Sequence, residues 1–274
     1  MSADAPAVHD ASSRRLRYLR IDATTMFSRS LRMMSRDPDE LLLALILPIA
    51  IMLMFVYVFG GAMSVGTDYI TYATPGVILL CAGYGASNTA LAVATDMNGG
   101  IIDRFRSMPI VGATVVFGHV AASVVKNSVS TAVVLIVAVA IGFRPSASLA
   151  DWLAAAGIVL AYVLAVTCLA AFIGVSVRTP AAAGGLGFVM LFLPYVSSAF
   201  VPPETMPAWL RGFAETQPIT PIIESIRALL VGVGTGGSPV HDLGSQSVTG
   251  LAWCAAITLA SLAAAACAFS RKGR

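Results

Sequence analysis

"YATPGVILLCAGYGASNTALAVAT", residues Tyr72 to Thr95, decides the fold class, because the whole stretch is apolar or small and contains no charged side chain. A transmembrane helix needs about 20 consecutive, predominantly apolar residues. Other apolar runs of similar length precede and follow this one. The sequence therefore predicts an all-α protein that crosses the membrane several times.

The composition of the whole chain supports this class. Its 274 residues are 57% hydrophobic and 11% charged, with a mean hydropathy of +0.84, whereas soluble domains carry about 25% charged residues. We predict a single transmembrane domain over residues 40–274, preceded by a tail over residues 1–39. The six predicted spans are Glu40–Gly60, Tyr72–Thr95, Val115–Gly142, Trp152–Val177, Ala181–Val201 and Val248–Phe269.

The distribution of basic residues predicts the orientation. Thirteen of the 17 Lys and Arg residues lie before the first span, after the last one, or in the loops that follow spans two and four. Basic loops stay on the cytoplasmic side. Both termini are therefore predicted to be cytoplasmic, in a plasma or bacterial inner membrane. The first forty residues show no signal-peptide pattern, so none is expected.

The tail before the first span carries an apolar stripe at helical spacing, with arginines mostly outside it. The stripe consists of Leu16, Leu19, Ala23, Phe27, Leu31 and Met34. This pattern favours an amphipathic helix that lies in the inner headgroup layer and binds membrane lipid. The alternative is a disordered basic leader that only sets the topology.

The segment between spans five and six combines apolar residues with prolines and charges. Glu204, Arg211, Glu215, Glu224 and Arg227 argue against a plain span, since each charge at the bilayer centre costs about 2.5–3.5 kcal/mol. Two short re-entrant helices in the outer leaflet would fit. The alternative is an outer loop lying on the surface, anchored by Trp209.

The polar segment "DMNGGIIDRFRSMPI", Asp96 to Ile110, follows span two directly. Asn98-Gly99-Gly100 is a turn signal that should end the span. Apolar residues then recur on one side of a short helix, flanked by charges, which suits docking into the groove of a partner. The alternative is a solvated loop, but a plain loop would not need an apolar face.

Catalytic and metal-binding patterns are absent from the sequence. There is no nucleophile–base pair, no phosphate-binding Gly-Lys loop and no metal-ligand cluster. His9, His119 and His241 are scattered, which argues against a membrane-embedded enzyme. No Asp or Glu lies centrally in a predicted span, which argues against a secondary transporter. The four cysteines read as small core residues.

Nearly the whole chain resembles the membrane subunits of type-2 ABC exporters, particularly the daunorubicin-resistance-type drug permeases, and two segments described above carry the resemblance. One carrier of the resemblance is the run Asp96, Gly99, Asp103, Arg104, Arg106, Ser107, Pro109. The other is "PAWLRGFAETQPITPIIESIRALL", which precedes the last span. The chain departs from the usual family pattern at Asn98, where a basic residue often stands, at an extra Gly100, and at Phe105 in place of Leu.

The resemblance implies a division of labour among subunits. Separate ABC ATPase subunits would bind ATP and Mg²⁺, and this chain would bind no cofactor and no nucleic acid. A second permease chain, identical or related, would complete the substrate pathway. The residues that would couple the pathway to the ATPase are Asp96, Gly99, Ile101, Ile102, Asp103, Arg104, Phe105, Arg106 and Pro109.

The exported molecule is expected to be an amphipathic drug or a lipid-like compound, with a lipid-linked polysaccharide as the alternative. Ionisable and polar groups inside spans are candidates for the substrate path. Asn88 and Lys126 are the two such candidates. For Asn88 an interhelical hydrogen bond is the competing reading, and for Lys126 it is a structural pair or a side chain that reaches back to the interface.

Overall fold

The computed structural model describes residues 38–63, 65–99, 112–232 and 243–271, and these residues form helices and no strand. The all-α prediction is confirmed for this part of the chain. Its α-helices are α1 (Pro38–Leu53), α2 (Tyr69–Asn98), α3 (Gly112–Ile141), α4 (Leu149–Ser176), α5 (Pro180–Phe192), α6 (Ala208–Thr216), α7 (Ile219–Val231) and α8 (Leu243–Arg271). A π-helical turn, Met54–Phe59, continues α1, and 3-10 turns occupy Leu193–Val196 and Pro203–Thr205.

Each predicted span overlaps a helix of the structure. Four helices are long and apolar enough to cross a membrane, namely Tyr69–Asn98, Gly118–Ile141, Leu149–Ser176 and Leu243–Ala268. Two shorter apolar helices, Leu45–Phe59 and Pro180–Val196, occupy the first and fifth predicted spans. The multi-pass architecture is confirmed, and the count of six spans stays a prediction.

The fifth predicted span differs most from the structure. The sequence predicted one helix as far as Val201, but α5 ends at Phe192 and gives way to a 3-10 turn and a non-helical turn. Pro194 lies in the 3-10 turn, and its missing N–H removes one bond of the α-helical ladder. The chain therefore leaves the α-helix before the end of the apolar run.

Local capping fixes the start of α4 and α5. The Ser148 hydroxyl accepts from the amide of Asp151, and the Asp151 carboxylate accepts from the amide of Ser148, which forms a capping box. The Thr179 hydroxyl caps α5 by accepting from the amide of Ala182, and Pro180 stands at the first helical position. Each helix thus begins where its sequence satisfies the first amide groups.

Helices α2 and α4 form the centre of the molecule. α2 packs against α1, α3, α4, α5 and α7, and most of its side chains are buried. α3 and α8 lie at the periphery and expose apolar side chains such as Ile136 and Leu259. The tail over residues 1–37, including the predicted interfacial helix, lies outside the described residues.

Glycines allow close approach to the central helix. A Cβ added to Gly174 on α4 would lie 2.7 Å from the carbonyl oxygen of Ala90 on α2. A Cβ added to Gly187 on α5 would lie 2.6 Å from the hydroxyl oxygen of Ser87. Small residues at such crossings let helix backbones pack closely where no hydrophobic effect drives them together.

Candidate functional site

The set of residues assigned to ATPase coupling begins in the last turn of α2. This helix ends at Asn98, whose side-chain amide donates to the carbonyl oxygen of Ala94 at 2.7 Å. The backbone amide of Gly99 donates to the carbonyl oxygen of Thr95 at 2.8 Å. The predicted end of the span at Asn98-Gly99 is therefore confirmed.

The rest of that set lies outside the described residues. It consists of Ile101, Ile102, Asp103, Arg104, Phe105, Arg106 and Pro109. The docking helix and its contacts therefore stay a prediction. The structure describes the two helices that flank the segment, α2 before it and α3 after it.

Asp96 joins these two helices through His119, a contact that the sequence does not predict. The Nε2 atom of His119 lies 2.8 Å from Oδ2 of Asp96, and each side chain is 21% exposed. A carboxylate oxygen only accepts, so Nε2 of His119 donates the hydrogen bond. The contact closes the base of the segment across 23 positions of sequence.

A small cluster of buried apolar residues includes sequence neighbours of both Asp96 and His119. Val93 of α2, Val120 of α3 and Val175 of α4 are buried in it, together with Cys168 and Ala171. Close packing of this kind resists changes in helix spacing. The Asp96–His119 pair is thus attached to a packed junction of three helices.

The two substrate-path candidates lie in different surroundings. Asn88 is half-buried on α2, and no hydrogen bond from its side chain is seen within the described part of the chain. Lys126 of α3 is 9% exposed. The assignment of both residues to a substrate path stays a prediction.

Asn127, rather than Asn88, makes an interhelical side-chain contact. Its side chain is 2% exposed, and its Nδ2 lies 3.5 Å from Oγ1 of Thr167 on α4. It also packs against Gly85, where an added Cβ would lie 1.5 Å from its Oδ1. The run "KNSVST", residues 126–131, is the most polar part of the third predicted span and was the available signal.

Two glycine-containing runs, "GYGAS" (residues 83–87) and "AAAGGLG" (residues 181–187), approach neighbouring helices at specific positions. Gly85 within "GYGAS" and Gly187 within "AAAGGLG" both touch a neighbouring helix. Gly184 and Gly185 meet nothing within 4 Å. Only the glycines that face another helix therefore serve the packing.

Two short helices, α6 and α7, follow the fifth predicted span, as the sequence predicted. Arg227 of α7 is fully buried, and its Nη1 lies 2.8 Å from Oε1 of Glu224, which is 7% exposed. Its Nη2 donates to the carbonyl oxygen of Ser198 at 2.7 Å and to that of Tyr72 at 3.1 Å. Burying these charges is feasible because each is paired and hydrogen-bonded.

Other buried polar atoms surround this arginine. The hydroxyl oxygens of Tyr72 and Ser198 and the Oε1 of Gln217 have no hydrogen-bond partner among the described residues. The side-chain amide of Gln217 donates to the carbonyl oxygen of Val196. The Arg227 cluster, meaning Arg227, Glu224, Tyr72 and Ser198, therefore attaches α7 to the start of α2 and to the turn after Val196.

The described residues contain no group of three or more His, Cys, Asp or Glu side chains placed to hold a metal ion. Cys81, Cys168 and Cys254 are buried thiols, in line with the expectation of small core residues, whereas Cys267 is exposed. What the geometry offers is a set of helix junctions: one at the Asp96 end of α2 and one at its Tyr72 end.

Comparison with known proteins identifies the family. The profile of the ABC-2 type transporter family matches residues 22–231. The daunorubicin resistance ABC transporter permease protein DrrB1 of Streptomyces coeruleorubidus is 27% identical over 228 residues, which cover 82% of this chain and 81% of the relative. The probable doxorubicin resistance ABC transporter permease protein DrrC of Mycobacterium tuberculosis is 24% identical over 207 residues, 75% of each chain.

A third relative, the putative transport permease ycf38 of Porphyra purpurea, is 26% identical over 200 residues, which cover 70% of this chain and 68% of the relative. The family profile covers well over half of the chain and includes α1 to α7. The chain belongs to the ABC-2 type transporter family and is a transmembrane permease subunit of an ABC exporter.

Proposed function

We propose that this permease moves an amphipathic drug or lipid-like molecule outward, driven by ATP hydrolysis on a separate ATPase subunit. The observation that carries the proposal is the similarity to permeases named for daunorubicin and doxorubicin resistance, which extends over three quarters or more of the chain. The central helices supply a packed scaffold, and apolar outer faces on α3 and α8 suit contact with lipid.

In the proposed orientation the Asp96 end of α2 lies in the cytoplasm. The positive-inside distribution of Lys and Arg supports this, since Arg104 and Arg106 follow Asp96 directly. The ATPase would bind ATP and Mg²⁺ beneath the membrane and contact the segment from Ile101 to Pro109. Apolar side chains there would pack into a groove, while Asp103, Arg104 and Arg106 would form charge-assisted hydrogen bonds.

In the same proposal the six apolar helices all cross the membrane, and a second permease chain completes the pathway. Helices α6 and α7 would lie in the outer leaflet. Trp209 and Phe213 of α6 are exposed one helical turn apart, and Trp side chains favour the membrane–water interface. The ionic side chains Arg211 and Glu215 of the same helix pair with each other at 3.2 Å.

Transport by inverted vesicles tests the proposal. The permease and its ATPase are co-expressed, and ATP-dependent uptake of doxorubicin, read by fluorescence, is compared with uptake on ADP. We expect ATP to support uptake without any other source of energy, and ADP to support none. Changing Asp103, Arg104 and Phe105 together to alanine should abolish uptake and weaken co-purification of the ATPase, while the amount of permease in the membrane stays unchanged.

A variant at the other end of the molecule provides the control. Arg211→Ala removes an exposed charge on α6 and should leave uptake intact. Uptake driven by a proton gradient without ATP would instead indicate a secondary transporter. Full uptake by the triple variant would exclude the docking role of the segment, and export of a lipid-linked polysaccharide without drug uptake would overturn the substrate class.

A further inference from the structure

We propose that His119 is a positioning residue for coupling: by holding Asp96, it fixes the spacing of α2 and α3 at the base of the ATPase-binding segment. The inference rests on the proposed function. It also reassigns Asp96, which the resemblance placed among the residues that contact the ATPase, to an internal contact within the permease.

The first observation is the position of the two residues. Asp96 lies two residues before the end of α2, and His119 lies in the second turn of α3. The thirteen residues between Asn98, where α2 ends, and Gly112, where α3 begins, include the whole predicted docking helix. A bond between the two side chains therefore joins the last turn of α2 to the second turn of α3, on either side of that segment.

The second observation is the quality of the contact. The distance of 2.8 Å between Nε2 and Oδ2 is that of a charge-assisted hydrogen bond. Both side chains are about four-fifths covered, since each is 21% exposed. Ion pairs on open surfaces contribute little because solvent screens them, but this coverage limits access of water to the contact.

The third observation is what lies behind the pair. Val93 on α2 is three residues before Asp96, Val120 is adjacent to His119, and both belong to the buried cluster with Val175 of α4. At that junction Gly174 allows α4 to touch α2. A displacement of the Asp96–His119 pair is therefore passed to three helices together rather than to one.

The physical consequence is that binding the ATPase and transmitting its movement to the helices depend on different residues. Residues beyond Gly99 would bind the ATPase, and the Asp96–His119 pair would make α2 and α3 move together when the ATPase moves. Without the pair the segment would still bind, but part of the displacement would be lost as a change in the spacing of α2 and α3. Loss of His119 should therefore lower transport per ATP hydrolysed more than it lowers ATPase binding.

The test uses the full permease–ATPase complex in lipid vesicles. His119→Leu removes the donor, His119→Gln retains a side-chain N–H donor, and the double variant Asp96→His/His119→Asp exchanges the partners. Thr95→Ala is the matched control, because the Thr95 hydroxyl donates to the carbonyl oxygen of Leu91 within α2 and joins no second helix. Co-purification, ATPase rate, and drug transported per ATP are measured for each.

We expect His119→Leu to keep co-purification and to lower transport per ATP about fivefold or more, the lower bound for coupling between linked sites. His119→Gln and the exchanged pair should recover most of the loss, and Thr95→Ala should match the unaltered protein. Unchanged transport per ATP in His119→Leu, or no recovery with the exchanged pair, would overturn the inference. An equal loss of co-purification and of transport would also overturn the inference, because His119 would then be needed for the permease to bind the ATPase.

A second measurement does not depend on transport. Hydrogen exchange of the backbone amides in the last turn of α2 and the second turn of α3 should accelerate in His119→Leu and return to the original rate in the exchanged pair. If the unaltered complex transports no drug, the proposed function fails, but this exchange pattern still decides whether the pair holds the two helices. Equal rates of hydrogen exchange in all variants would show that the Asp96–His119 pair does not hold the two helices together.

Discussion

Arg227 contacts both the aromatic ring and the backbone carbonyl of Tyr72. The guanidinium carbon lies 3.9 Å from the ring centroid, and Nη2 donates to the carbonyl oxygen of Tyr72 at 3.1 Å. The two residues are 155 positions apart in the sequence. The contact joins the short helix α7 to the start of the central helix α2.

Replacing Arg227 with Met should lower the free energy of unfolding by about 3–5 kcal/mol, because it leaves Glu224 as a buried, unpaired charge. Denaturant titration of the purified protein in detergent micelles measures this. The double variant Arg227→Met/Glu224→Gln should be more stable than the single variant. Arg211→Met is the control, since the Arg211 and Glu215 side chains are 41% and 53% exposed; a loss of similar size there would contradict the explanation.

Replacing Gly174 with Ala should cost about 1–3 kcal/mol of stability, because the new methyl group overpacks the crossing of α4 with α2. The added carbon would lie 2.7 Å from the Ala90 oxygen and 2.8 Å from Cβ of Val93. Gly157→Ala on the same helix is the matched control, since nothing lies within 4 Å of its added carbon. Midpoints of thermal unfolding in detergent compare the two, and equal midpoints would argue against close packing at Gly174.

Replacing Asn127 with Ala should destabilise the protein by about 1 kcal/mol, the scale of an interhelical hydrogen bond within a membrane protein. The side chain is 2% exposed and faces Thr167. Asn88→Ala is the comparison, because Asn88 is only half-buried, and it should leave the unfolding midpoint unchanged. If Asn88 contacts substrate, its replacement should instead raise the drug concentration at half-maximal transport.

Replacing Ser148 with Ala should cost about 1 kcal/mol, because the first turn of α4 loses its side-chain cap. The hydroxyl both accepts from the Asp151 amide at 3.3 Å and donates to its carboxylate at 2.6 Å. Ser245→Ala, at an exposed position in the first turn of α8, should have no effect. Hydrogen exchange of the amides at residues 149–151 should rise in Ser148→Ala alone.

The positions of the helices followed from the sequence because length and hydropathy are local properties. Asn98 ends α2, as predicted from the turn signal at Asn98-Gly99-Gly100. Two short helices also stand where the charges of the last loop had argued against a plain span. Each of these features depends on residues that are neighbours in the chain.

The partners across helices did not follow from the sequence. Asp96 with His119, Arg227 with Tyr72, and Asn127 with Thr167 depend on how each helix is rotated about its own axis. A helix that is apolar all round gives no stripe from which that rotation can be read. For the same reason the sequence "AAAGGLG" does not indicate that Gly187 alone among its glycines touches α2.

Helix α2 carries both contacts, with Tyr72 held near one end and Asp96 near the other. At 1.5 Å per residue they lie about 36 Å apart along the axis, farther than the roughly 30 Å of a bilayer's hydrocarbon. If α2 crosses the membrane as proposed, the two contacts lie toward opposite faces of the bilayer and are joined by one continuous helix. In that arrangement a shift or rotation of the helix at the Asp96 contact would reach the Tyr72 contact without passing through a loop, so both ends of α2 would move together.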